Sequence, residues 1–545
     1  MEHVRLIIAI VLSLAIFLVW DFFFVDRRPV PPPSAPPTET VAPAPEETIN
    51  QEPVWDEIPT AIPEKTFETI SVETKLYKAF ISERGATINR FELKDYRETA
   101  DPGSPRKALI PESNRMGTAA VNLSGADLPL YEAVFATDFD GQSLKVDETP
   151  ETLSFFWQSE NGLVLEKRYT FHPDKYNIGL SVVVRNQTDG AVEQTLEVSM
   201  TNPPPDDTRR FTFAGPFISV DRDLHQVKIS DIRDKGTFSG EIHWTGIEDH
   251  YFMTALIPPA PVDASVVFGI DQQNNLLKTT LRQPMGRMAP GSAAQYDYHL
   301  FLGPKKLSLL QAFGHGLDRK VDFGWFSIIA RPALWLMNAI HDNVIANYGV
   351  AIILLTLLIK AIFWPLGNKS YKSMAEMRKI QPLMMEIRNK YKDDKKKMNE
   401  EVMNLYKTYK INPLSGCLPM VVQIPVFIAF YRMLYEAIEL RHAPFMLWIN
   451  DLSAPDRLFD FGITLPLMAP PIGIPVLTLI MGATMFLQQK LAPPPGDPMQ
   501  ARIMMMLPIV FTFIFINFPA GLVLYWLVNN VVSIGQQYIV NRKMT

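Results

Sequence analysis

Two periodicities divide the chain: long apolar runs occupy its ends, and alternating apolar and polar positions fill its middle. Residues 6–25 (LIIAIVLSLAIFLVWDFFFV) have the length that crosses a hydrocarbon core of ~30 Å. Arg5 precedes the run, Trp20, Phe22, Phe23 and Phe24 end it as an interfacial belt, and no small-x-small cleavage site follows. Residues 1–26 therefore read as an uncleaved transmembrane anchor. The next stretch, 27–65, is rich in Pro, Glu and Thr, which bury too little apolar surface to fold and favour extended polyproline conformations. It is expected to act as a linker.

Across residues 66–322 the period changes to two. The runs TISVET, LSFFWQ, LVLEKRYTFH, NIGLSVVVRN, QTLEVSMT, SVVFGI and QYDYHLFLG alternate and are punctuated by Gly, Pro, Asn and Asp. Antiparallel strands have this signature, and their number predicts a large β-sandwich. Residues 323–342 follow with WFSIIARPALWLMNAI, interrupted by Arg331 and Pro332 and too short for a clean crossing. An amphipathic helix lying at the membrane interface is expected there.

The last part, 343–545, is expected to form five membrane helices. Residues 347–366 (NYGVAIILLTLLIKAIFWPL), 414–435 and about 472–487 read as single crossings. The stretch 503–540 is too long for one crossing, and the turn at Asn517, Phe518, Pro519, Ala520 and Gly521 divides it into two short helices in a hairpin. Between the first two spans, 368–411 carries apolar residues at helical spacing, Met374, Met377, Ile380, Met384 and Ile387, then Met398, Val402, Leu405 and Tyr409, on either side of YKDDKKK. That spacing predicts a hairpin of two amphipathic helices.

Charge orients these elements. The hairpin holds twelve basic residues, from Lys369 to Lys410, against six acidic ones, from Glu376 to Glu401, which marks it as cytoplasmic and suited to anionic lipid. In the 437–470 loop, Arg441 and Arg457 face Glu439, Asp451, Asp456 and Asp460. With the anchor there are six crossings, so both termini are expected in the cytosol and the β-domain in the periplasm of a bacterial inner membrane. The fold class is thus a multi-pass α-helical membrane protein with six transmembrane helices and a large periplasmic antiparallel β-sandwich.

A formal net charge of -6 over 545 residues gives no basis for nucleic-acid binding. The single cysteine, Cys417, excludes an intramolecular disulfide. No C-x-x-C, H-E-x-x-H or phosphate-loop motif is present, and no metal or cofactor is expected. His172, His243, Glu248, Asp249 and His250 lie in the β-region without diagnostic spacing and read as structural or solvated, so no catalytic residue is assigned.

One cation interrupts the first core span. A lysine at mid-membrane costs roughly 2.5–3.5 kcal/mol, so Lys360 must snorkel to headgroups or face a wet, protein-lined space. Thr356 shares its helix face at i−4. Gln423, Thr484, Gln488, Asn529, Asn530 and Ser533 recur in the other spans, with Pro419, Pro425 and Pro508. Turned inward around Lys360, these groups would make a polar cavity. Each taken singly is also consistent with interhelical glue.

The strings WPLGNKSYKSMAEMRKIQP from Trp364, NPLSGCLPMVVQIPVFIAFYRMLYEAIELRHAPFMLWINDLSAPD from Asn412, DPMQARIMMMLPIVFTFIF from Asp497 and FPAGLVLYWLVNN from Phe518 resemble the YidC/Oxa/Alb family of membrane protein insertases. The arrangement of anchor, linker, β-domain and core is similar to the family's Gram-negative form. The resemblance implies insertion and folding of nascent membrane proteins without nucleotide hydrolysis, alone or with the Sec translocon, through a hydrophilic groove holding one cation. It places that cation at Lys360, where relatives commonly carry arginine; lysine keeps the charge and loses the bidentate fork. Gln423 would lie in the groove wall, with Thr356, Asn529 and Asn530 beside it, while Pro419, Pro508, Tyr525 and Trp526 would flank the path of a departing substrate helix. The basic hairpin would meet ribosome or targeting receptor. The β-domain would look like a sugar-mutarotase sandwich without that activity.

Two other classes remain from the residues themselves. A secondary transporter or channel using Lys360 as a substrate site would be expected to show inverted repeats, which the sequence lacks. An anchored periplasmic carbohydrate enzyme would leave the hairpin and five further spans unexplained.

Overall fold

The computed structural model describes residues 68–544, apart from 113, 115, 125–128, 206–211, 273, 410–417, 464, 466, 467 and 492–497. The expected anchor and linker lie outside the described residues, as does Cys417.

Alternation in the middle region resolves into two sheets. The smaller runs Arg106–Ile110, Thr87–Arg97, Tyr77–Ser82, Thr69–Glu73, Ser143–Lys145, antiparallel except for the last pair. In the larger, the central path is Ala120–Leu123, Val192–Asn202, Leu276–Met288, Val262–Asp271, Thr237–Glu248, Phe252–Ile257, Ala293–Pro304, Asn177–Asn186, Leu163–Phe171, Glu151–Gln158, Ala136–Thr137. Every strand expected from an alternating run is present. In Leu163–Phe171 the inward positions are Leu163, Leu165, Lys167, Tyr169 and Phe171, as a period of two requires, although one of the five is a lysine. The Lys167 ammonium is fully buried and gives its three N–H groups to the carbonyls of Gly85 (3.0 Å), Ala86 (2.6 Å) and Ala119 (2.8 Å). These carbonyls sit at left-handed positions (φ +66°, +47° and +58°), outside the strand ladders, so the lysine supplies donors that a sheet cannot.

The helices of the described residues are α1 (Ile232–Lys235), α2 (Leu307–Phe313), α3 (Ser327–Asn343), α4 (Tyr348–Lys390), α5 (Lys395–Thr408), α6 (Leu418–Glu436), α7 (Val476–Leu491), α8 (Pro498–Phe515) and α9 (Ala520–Met544). The amphipathic segment is α3, which buries Ala330, Ala333, Leu334 and Met337 and exposes Trp325, just before it, with Ile328 and Trp335. Its buried face lies against α4 and α6.

The first span and the first arm of the hairpin are one helix. α4 runs for 43 residues through Pro365 and Pro382 and is about 65 Å long, roughly twice a hydrocarbon core. It starts at Asn347, whose carboxamide accepts the N–H of Val350 at 3.1 Å. The second arm, α5, starts at Asp394, which accepts from Lys397 N–H at 3.0 Å. Tyr406 on α5 reaches Met384 on α4.

Of the described helices, α4 is long and apolar enough to cross a membrane; Val476–Leu491 and Arg502–Phe515 are apolar and shorter. The outward faces of these helices and of α9 carry Leu354, Ile362, Leu479, Ile480, Ile509, Phe513 and Val531, all exposed, a distribution that water would penalise and lipid would not. α7 and α8 approach closely at Gly482, where an added β-carbon would collide with Thr512 Oγ1. At one end of the bundle, Asp456 is buried, caps α7 through the N–H groups of Leu477 and Thr478, and accepts the indole of Trp448 at 2.7 Å. Arg457 donates to the carbonyls of Pro471 (2.9 Å) and Ile516 (2.8 Å), tying the α6–α7 loop to the α8–α9 turn.

Candidate functional site

The site follows from one face of α9. Asn529, Asn530, Ser533, Gln536 and Gln537 recur at i, i+1, i+4, i+7 and i+8, a stripe that a helix turns to one side. All but Asn529 are buried. In a helix whose other faces are apolar, such a stripe must find partners on neighbouring helices, because each unsatisfied polar group would cost free energy.

Lys360 on α4 finds it. Its Nζ donates to Ser533 Oγ at 2.8 Å, and Ser533 in turn donates to the Asn529 carbonyl at 2.6 Å. Gln423 on α6 donates through Nε2 to Asn529 Oδ1 at 2.7 Å. Three helices thus converge on one connected polar network. Asn530 faces another helix, donating to Thr484 Oγ1 on α7 at 3.2 Å, while Thr484 donates to the Met481 carbonyl at 2.6 Å. Thr356 lies one turn before Lys360, buried, with its hydroxyl donated to the Ile352 carbonyl of its own helix at 2.6 Å; it touches the network only as a neighbour on the same face. Lys360 is half-buried, and among the described residues no carboxylate stands beside it. The arrangement therefore presents a cation whose partner is a neutral hydroxyl.

The residues expected along a departure path lie elsewhere. Tyr525 is buried and stacks on Phe430 with centroids 4.9 Å apart; Trp526 sets its edge against Phe427 (4.5 Å) and Phe515 (4.9 Å). Together they form an aromatic wall between α6, α8 and α9, one turn from Asn529. Pro508 is buried within α8, and its carbonyl accepts from Thr512 Oγ1 at 2.7 Å. Pro419 falls in the first turn of α6, where side chains lie outside the described residues.

Three groups escaped the sequence reading: Gln536, Gln537 and their neighbour Asn368. Gln536 Nε2 donates to the Trp364 carbonyl and to Asn368 Oδ1, each at 2.9 Å. The string NNVVSIGQQ carried the signal, since its polar positions share one helical face.

Of the scattered ionisable groups in the β-domain, Glu248, Asp249 and His250 are tied into the fold. The buried Glu248 carboxylate pairs with the buried ammonium groups of Lys305 (3.1 Å) and Lys320 (2.5 Å) and accepts from the exposed Gln226 amide (3.1 Å). Burial pushes both ammonium groups toward the neutral form. At Lys305 the carboxylates of Glu248, Glu436 and Asp249 outweigh it and raise the pKa, whereas at Lys320 burial prevails and lowers it. His250 bridges Thr212 Oγ1 (2.7 Å) and the Tyr435 carbonyl at the end of α6 (2.9 Å), and Arg441 donates to the Arg97 carbonyl at 2.7 Å. These bonds stitch the sandwich to the helical part. Among the described residues no cluster of His, Cys, Asp and Glu could hold a metal ion.

Comparison with known proteins covers both parts. Residues 69–336 match the family described as YidC periplasmic domain, and residues 339–545 match the family described as 60Kd inner membrane protein. The chain is 40% identical over 559 residues to the membrane protein insertase YidC of Syntrophus aciditrophicus, covering 99% of each. It is 39% identical over 549 residues to that of Pelobacter propionicus, again covering 99% of each. A crystal structure of an active YidC insertase with its first transmembrane domain resolved aligns over 87% of this chain and 93% of the other, at 19% identity and a TM-score of 0.38.

Proposed function

Because this chain belongs to the YidC family of membrane protein insertases, as an inner-membrane protein with a periplasmic β-sandwich domain, we propose that it inserts clients through a polar groove centred on Lys360. The observation that carries this reading is the connected network of Gln423, Asn529, Ser533 and Lys360 on inward faces of helices whose outward faces expose large apolar residues. Polar groups gathered inside an apolar shell lower the cost of bringing a hydrophilic tail partway across the membrane. Lys360, with no carboxylate beside it among the described residues, attracts an acidic residue of that tail. As the apolar helix of the client passes into lipid, the transfer of its surface at about 25 cal/mol per Å² yields tens of kcal/mol, enough to drive the step without a nucleotide.

In this reading the chain crosses the membrane six times with both termini in the cytosol, an orientation that the excess of basic residues in the hairpin supports. The cytoplasmic hairpin, the second half of α4 with α5, receives the client from ribosome or targeting receptor and rests on anionic lipid. Tyr525, Trp526, Pro508 and Pro419 flank the client's way into lipid, and the groove serves clients arriving alone or from the Sec translocon.

Site-specific photocrosslinking tests the groove. A photoreactive residue at Gln423 or Asn529 is expected to capture a nascent single-span client during synthesis, and one at Ile509, on the outward face of α8, to capture lipid. Client adducts equal from all three positions would remove the groove from the mechanism.

A further inference from the structure

Gln536 is buried, lies outside the groove network, and uses both hydrogens of its amide nitrogen on α4: one on the Trp364 carbonyl and one on Asn368 Oδ1. The place it grips is distinctive. Trp364 immediately precedes Pro365, which has no N–H to give the carbonyl of Ala361 and whose ring crowds that turn, so α4 is weakened here. Trp364 is four residues after Lys360, and Gln536 is three after Ser533. The Lys360 bond to Ser533 and the Gln536 bonds to α4 are therefore successive rungs between the same two helices, which run parallel. Gly367 completes the contact: a β-carbon there would lie 2.8 Å from both Nε2 and Oε1 of Gln536, so the missing side chain is what lets the amide lie against α4.

We propose that Gln536 is a positioning residue that locks α4 to α9 at Pro365 and thereby holds the Lys360 ammonium at Ser533, where an acidic client residue meets it. Without the clamp, α4 pivots at its proline turn and Lys360 leaves the stripe. The consequence for clients rests on the Lys360 reading above; the clamp itself does not.

The experiment has two readouts on the full chain in membranes, with Cys417→Ser as background. The first is structural. With Ser533→Cys, a short amine-to-thiol reagent joins Lys360 to the thiol introduced at 533, and mass spectrometry quantifies the adduct. Adding Gln536→Leu is expected to lower its yield about fivefold to tenfold, the ratio that two interhelical hydrogen bonds of ordinary strength support. Gly367→Ala, which displaces the amide with one methyl group, is expected to act in the same direction should Gln536→Leu fail to accumulate. An unchanged yield in both variants overturns the clamp.

The second readout, with Ser533 retained, is insertion of two clients differing only in tail charge. Gln536→Leu is expected to reduce the acidic-tailed client about fivefold, to change the neutral-tailed one by less than about twofold, and to add nothing in a Lys360→Ala background. Equal loss for both clients, or full additivity with Lys360→Ala, overturns the positioning of Lys360 and leaves Gln536 a packing residue. A Lys360→Ala variant that treats both clients alike counts against the groove reading instead, and the adduct yield then judges the clamp alone.

Discussion

Charge at position 360 separates attraction from anchoring, and the structure sets the scale of the effect. The Lys360 ammonium lies 2.8 Å from Ser533 Oγ, half-buried, with no carboxylate beside it among the described residues. An acidic client side chain meeting it at ~4 Å gains about 4 kcal/mol at an effective dielectric of 20 and about 1 kcal/mol in water. A half-hydrated groove falls between, so about 1–2 kcal/mol is expected, or roughly 5- to 30-fold in the population of the engaged tail. Lys360→Ala should reduce insertion of an acidic-tailed client by that factor and leave a neutral-tailed partner much less affected. Lys360→Glu should be worse for the acidic tail, since attraction becomes repulsion of similar size. Lys360→Arg should retain or improve activity, because the guanidinium keeps the charge and adds a planar fork for a carboxylate. The assay is protease protection of the paired clients after synthesis in vesicles carrying equal amounts of each variant. Equal loss across the pair would refute the electrostatic role and return Lys360 to a residue that steadies its helix at the headgroups.

Two further outcomes concern the β-domain, each read by thermal unfolding of the full chain in detergent. Glu248→Ala leaves Lys305 and Lys320 facing each other with side-chain exposures of 8% and 0%, and is expected to cost about 3–5 kcal/mol, near 6–20 °C in the domain's midpoint; a shift below about 2 °C would mean that the lysines rehydrate. Acidification should also destabilise the domain through His299, whose Nδ1 is buried without a partner among the described residues. Burial first, then the neighbouring His315 and His172 against a weaker opposing Asp297, lowers its pKa below the ordinary 6.5. The unfolded chain therefore takes up the proton first, and stability present above about pH 6.5 is lost as pH falls below it. His299→Gln should flatten that slope, and an unchanged slope would assign it to other groups.

Much of this protein follows from periodicity alone, because a period is a local property. Strands such as Asn177–Asn186 match their alternating runs, the hairpin arms follow from three-and-four spacing, and the apolar helices follow from the length of their runs, since each of these is a property of one segment taken alone. Lys360 was legible for the same reason: a charge inside an apolar run needs an explanation wherever the run ends up.

Partnership was not legible. Ser533 lies 173 residues from Lys360, and Asn529 lies 106 from Gln423, so only the packing of α4, α6 and α9 decides that they meet. Packing also decided that α4 continues past Pro365, where a local rule favours an end. The proline's lost hydrogen bond is a cost within one helix, and the contacts that offset it, including the amide of Gln536 over Gly367, come from another. Lys167 makes the same point in the sandwich: alternation turned it inward, and only the folded chain could bring three carbonyls from two distant turns to its ammonium. A sequence reveals which groups need partners, whereas their identity depends on distances that exist only after the chain has closed on itself.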